Sequence, residues 1–231
     1  MRGRRSPARA SGVDSRVHEL RLRTVNDGDL ALGRDFPRPP EDFASNSRTC
    51  GMSGAIGHED TVLLVLRGPS ASGKTTVAEA LRASYGRGLA LVQQDLLRRQ
   101  VLRERDLPGA SNIGLIDQTA RFALDAGYHV VVEGILRSDH YGTMLRRLVD
   151  DHRGRTVVVY LDVSFEETRV RHAGRPQARE FTDEDMRGWY RPDDRLNLPG
   201  EHVVHASAPA ADTLRLLLRC LAASGRHHPR E

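Results

Sequence analysis

Residues Gly68-Pro69-Ser70-Ala71-Ser72-Gly73-Lys74-Thr75, with Thr76 behind them, fill every fixed position of the pattern G-x-x-x-x-G-K-[ST]. The chemistry open to such a segment is anion binding. Backbone N–H groups can turn inward around a phosphate only where side chains are small or absent, and Gly68 and Gly73 permit that turn. A helix beginning near Lys74 aims the positive end of its dipole at the same anion. Lys74 brings a compact, flexible charge to the β- and γ-phosphates, and Thr75 offers a hydroxyl to Mg²⁺. The segment reads as a nucleoside-triphosphate site, with ATP and Mg²⁺ as expected ligands. Composition singles out the lysine: of 35 basic residues, Lys74 alone is not arginine. A chain that uses arginine everywhere else keeps lysine where a guanidinium would not serve.

Two carboxylates follow at places where a parallel sheet presents its ligands. Asp95 ends the apolar run 89–93, and Glu133 ends the run 128–132. In a doubly wound sheet both emerge at the carboxyl edge, beside the phosphate loop. Asp95 can accept a proton from a hydroxyl attacking the γ-phosphate, or cap a following helix over 96–103, and the two roles are compatible. A GTPase would need a second lysine for its guanine-reading Asn-Lys-x-Asp, and the chain has none. An AAA-type ATPase would end this strand in Asp-Glu and add a helical lid domain, for which there is no room.

Arginines supply the remaining charge. Arg169, Arg171, Arg175 and Arg179 crowd a segment broken by Gly174 and Pro176. Lid arginines that close over ATP neutralise the charge spread over the γ-oxygens, and Arg171 and Arg175 share a face if the helix persists. Arg98, just after Asp95, suits an acidic or phosphorylated acceptor equally as well as a solvated helix face.

The elements that must hold these residues alternate in type. Strands are expected at 61–67, 89–93, 128–132, 156–163 and 201–205. Helices are expected at 74–84, 113–126, 139–151, 165–172, 182–189 (Thr182 as N-cap) and 211–223. Strands apolar on both faces, separated by helices, specify a parallel sheet covered on each side.

The phosphate loop, the strand ending at Asp95, and Val132-Glu133-Gly134-Ile135-Leu136-Arg137 together resemble the zeta-toxin and chloramphenicol-phosphotransferase-like branch of small P-loop kinases. The resemblance covers about residues 61–223. It implies an α/β, three-layer P-loop NTPase of nucleotide- and small-molecule-kinase type, with a central parallel sheet and a short helical lid. It also implies transfer of the ATP γ-phosphate to a hydroxyl of a small molecule, with Asp95 as base and Glu133 and Arg137 on the acceptor side. Zeta toxins carry threonine where Ile135 stands, which sets the nucleotide-sugar acceptor of those toxins against an antibiotic, a nucleic-acid end, or an idle ATP-binding regulator. An antitoxin-like protein partner is the further expectation of the toxin alternative.

Composition bounds the rest. The 231 residues form one α/β domain at 58–224, with an Arg/Pro/Ser-rich extension at 1–57 and a polar tail at 225–231; Met52 is an alternative start. Residues 1–51 carry 10 Arg against 7 acids. The remaining 180 carry 25 basic and 24 acidic groups, a near-neutral body that argues against a nucleic-acid partner. No apolar run approaches a membrane span, and two cysteines make no disulfide framework, so a cytoplasmic enzyme is expected.

Overall fold

A strand buried on both faces must be apolar along its whole length, and the first strand, β1 (Val62–Arg67), is fully buried from end to end. The computed structural model describes residues 54–174, 182–205 and 209–222. After β1 come α1 (Lys74–Tyr85), β2 (Leu89–Gln93), a π-helical turn (Leu96–Val101), α2 (Ser111–Asp125), β3 (His129–Glu133) and α3 (Ser138–Asp151). They are followed by β4 (Arg155–Asp162), α4 (Phe165–Ala173), α5 (Asp183–Trp189), β5 (His202–His205) and α6 (Ala210–Ala222). Among the described residues, no helix is long and apolar enough to cross a membrane.

The five strands form one parallel sheet in the order β2-β3-β1-β4-β5. Alternate residues of the strands feed two separate cores. On one face Leu63, Val65, Val130 and Val132 meet Ile116, Ala120 and Leu124 of α2 and Tyr141, Leu145 and Leu148 of α3. On the other face Val62, Leu64, Leu66 and Val131 meet Val77, Ala78 and Leu81 of α1 and Leu217 and Leu221 of α6. Each such fully buried aliphatic side chain stabilises the fold by about 1.5–3 kcal/mol. The result is the three-layer P-loop NTPase architecture. The helices that follow β1 and β3 leave to opposite faces, so a crevice opens between the carboxyl ends of these neighbouring strands.

Two local features decide how the site is held. Thr182 caps α5 as expected and forms a full capping box with Asp185. The helix expected over 96–103 is instead a π-helical turn over 96–101, and Arg103 beyond it has a positive φ of 53°. Asp95 sits at the N-cap position of this turn, but its side chain makes no capping bond. The capping role considered for it is therefore not the one it has.

Candidate active site

The phosphate loop is shaped by backbone conformations that most residues avoid. Gly68, Ala71 and Gly73 have φ of 147°, 60° and 93°. At Gly68 a side chain would also lie 2.6 Å from the carbonyl oxygen of Leu161, so glycine is required twice over. The loop closes on itself through the Ser72 amide, which donates to the Pro69 carbonyl at 3.3 Å, and the Val77 amide donates to Gly73 at 3.1 Å as α1 begins. Lys74 is buried and folds back over the loop, its Nζ donating to the Pro69 carbonyl (2.8 Å) and to Ser72 Oγ (3.3 Å).

The Thr75 hydroxyl donates to Glu133 Oε1 at 3.1 Å. Gln93, the last residue of β2, reaches Glu133 Oε2 at 3.4 Å. Glu133 is buried, and burial pushes its carboxyl pKa up; the Lys74 charge and these two hydrogen bonds pull it back down. Asp95 stands two residues past the end of β2, two-thirds exposed, with Oδ1 paired to Arg98 at 3.0 Å.

These groups line one cleft of about 490 Å³. Of the residues singled out from sequence, Ser70, Ala71, Gly73, Lys74, Thr75, Thr76, Asp95 and Glu133 all line it. Gly68, Pro69 and Ser72 shape the loop behind it. Arg98 and Arg137 are not among its lining residues. Arg98 holds Asp95, and Arg137 pairs with Asp139 at the start of α3. Arg171, near the end of α4, pairs with Glu167 and approaches the loop, its Nη1 3.4 Å from the Ser72 carbonyl. Arg175 lies outside the described residues. Ile135, singled out after β3, and Arg99, beside Arg98, line it too, and the cleft also includes residues that sequence reasoning passed over: Gln93 and, in the π-helical turn, Leu96 and Gln100, and His172 on α4. Adjacency to Asp95 could have flagged the first three; nothing local distinguishes His172.

The arrangement can hold a polyphosphate on the loop and α1, and a hard cation on the oxygens of Thr75 and Glu133. It can present Asp95 to a hydroxyl entering from the open side.

The model of a family described as AAA domain matches residues 63–192. No curated protein matches the chain. Among solved structures, the Mycobacterium tuberculosis APS kinase in complex with AMPPNP and APS is 19% identical, covering 73% of this chain and 99% of its own, with a TM-score of 0.55. A gluconokinase from Sinorhizobium meliloti is 20% identical, with coverages of 72% and 94% and a TM-score of 0.52. A sugar kinase from Janibacter is 18% identical, with coverages of 72% and 99% and a TM-score of 0.51. At these identities the likeness is one of fold. As the sequence predicts, β3 ends in Glu133 alone and passes directly to Gly134, without the Asp-Glu strand end of an AAA-type ATPase.

Proposed function

Because the chain belongs to this AAA domain family and shares its fold with small P-loop kinases, we propose that it is an ATP-dependent phosphotransferase moving the γ-phosphate to a hydroxyl of a small molecule. One observation carries the reading: the phosphate loop with Lys74, and two carboxylates from the ends of neighbouring strands, face a single cleft. Lys74 leaves its loop oxygens to bind the phosphates. Asp95, held by Arg98, takes the proton of the acceptor hydroxyl as it attacks. Glu133 orients the Thr75 hydroxyl, and the two offer oxygens to Mg²⁺, which supplies charge neutralisation when bound. Arg171 is placed to add positive charge from the lid side of the loop. A zeta-toxin-like nucleotide-sugar kinase is the narrower form of this proposal, carried only by the stretch Val132–Arg137, where Ile135 replaces the threonine of those toxins.

The test is incubation with γ-labelled ATP and a fractionated metabolite extract, with Lys74→Ala as control. A labelled small molecule formed by the wild type alone supports the proposal. Label found only in phosphate, in protein or on nucleic-acid ends refutes it.

A further inference from the structure

The loop that carries Ile135 into the cleft turns through Leu136, a non-glycine residue with a positive φ of 46°. A leucine holds that conformation only when its surroundings over-determine it. Here both of its peptide groups are seized. The Leu136 carbonyl accepts from buried Arg67 at 2.7 and 3.0 Å, and the Leu136 amide donates to Gln94 Oε1 at 3.0 Å. Gln94 is buried directly before Asp95, and its Nε2 is fixed in turn by the Tyr141 hydroxyl (2.9 Å) and Asp106 (3.3 Å). Tyr141 lies 2.7 Å from Asp106 Oδ1 and 2.8 Å from Asn112 Oδ1 and lines no part of the cleft. Its pKa is raised, chiefly by burial and then by Asp106, which keeps the phenol neutral and able to donate. The fit is close: a Cβ at Gly134 would stand 2.4 Å from Gln94 Oε1.

We propose that Gln94 is the positioning residue of this site. Its side-chain amide ties the Gly134–Leu136 turn to the end of β2, and so sets how Asp95 and Glu133 face each other across the cleft. Gln93 on one side bonds Glu133, Asp95 on the other faces the acceptor, and Gln94 between them grips the β3 loop. The inference rests on the phosphotransfer reading, in which the separation of these carboxylates matters. Displacing a reacting group by about 1 Å from a remote position costs on the order of 10²-fold in rate.

The experiment uses the full chain, Mg·AMPPNP as the binding probe, and Mg·ATP with water as acceptor, ADP release being read well below the melting temperature. Gln94→Leu, which keeps bulk and removes all three polar contacts, is expected to lower kcat by about tenfold or more while the AMPPNP Kd stays within about threefold. Tyr141→Phe is expected to lower kcat in the same direction, and the double variant to fall short of the product of the two. If Gln94→Leu does not fold, Tyr141→Phe decides. A loss of melting temperature alone, with kcat unchanged, overturns the proposal, because a merely structural contact would do that. A Kd that rises as much as kcat falls also overturns it, since the fault then lies in the phosphate loop. Active wild type with unaffected variants removes the positioning role alone. A wild type that binds AMPPNP but labels no small molecule, whether or not it releases ADP to water, removes the phosphotransfer reading and this role with it.

Discussion

Replacing Asp95 by asparagine separates proton transfer from every other task this residue has. The carboxylate is two-thirds exposed, makes no capping bond and pairs only with Arg98 among the described residues. An exposed pair of this kind contributes about 0.2–1 kcal/mol, and the asparagine oxygen still accepts from Arg98, so stability should change by less than about 1 kcal/mol. Nothing in the contacts of Asp95 reaches the phosphate loop, so the AMPPNP Kd should move by less than about threefold. The rate is a different matter. Removing a general base costs about 10²–10⁴-fold, roughly 3–5 kcal/mol of barrier. The assay pairs product formation on the acceptor identified by γ-label transfer with AMPPNP titration and a melting curve. The expected outcome is a kcat at least about a hundredfold lower on an otherwise intact protein. If Asp95→Asn keeps most of its activity, the base assignment is wrong and Glu133 becomes the candidate. A base works deprotonated, so its rate falls as pH drops through its pKa. Burial pushes the Glu133 carboxyl above its ordinary value, so an acid limb set by Glu133 would shift in that direction and vanish in Glu133→Gln.

Three further outcomes follow from the contacts. Lys74→Ala and Lys74→Arg should both abolish phosphotransfer while leaving the fold intact; near-normal turnover of Lys74→Arg would refute the phosphate-contact argument. Arg67→Met should cost about 3–5 kcal/mol, and roughly 10 °C in melting temperature, because it leaves the Leu136 carbonyl without its donors and removes the buried counter-charge of the half-buried Asp194 and Glu201; a shift under about 2 °C would contradict it. His152, buried between the hydroxyls of Thr61 and Thr156, has its pKa lowered by burial to about 4. Between that value and about 6.5 the unfolded chain binds the extra proton, so the contribution present above pH 6.5 is lost on acidification, about 2 kcal/mol by pH 5; urea midpoints of wild type and His152→Gln at pH 7 and 5 check this difference.

How far the sequence carried the fold depends on how local the deciding signal was. β2 lies where its apolar run put it, and Thr182 caps α5 because a hydroxyl three residues before an acid is a local signal. Strands apolar on both faces announced the two-sided sheet. The π-helical turn after Asp95 was not legible, since i→i+5 bonding leaves no residue pattern that separates it from an ordinary helix. In sequence, Gln94 is one of two adjacent glutamines at a strand end, with nothing to separate it from Gln93. Only the approach of Leu136, Tyr141 and Asp106, all distant in sequence or separated by the turn, makes it different from Gln93. Arg67 closes an otherwise apolar strand, and nothing near it in sequence marks it as buried, because its partners Asp194 and Glu201 come more than a hundred residues later.

Arg67 and Lys74 also explain each other. Both are buried cations flanking the phosphate loop, seven residues apart. Arg67 spends its fork on fixed geometry: two bonds to the Leu136 carbonyl and one each to the Asp194 carbonyl and carboxylate, over the Tyr160 ring. A planar guanidinium suits that, since every donor has a permanent acceptor. Lys74 is held by two loop oxygens that a phosphate can replace, and its point charge has no preferred plane. One cation is built to stay, the other to change partners. A chain that otherwise uses arginine for every basic residue therefore keeps its single lysine on the side of the loop where the contact must be exchanged during turnover.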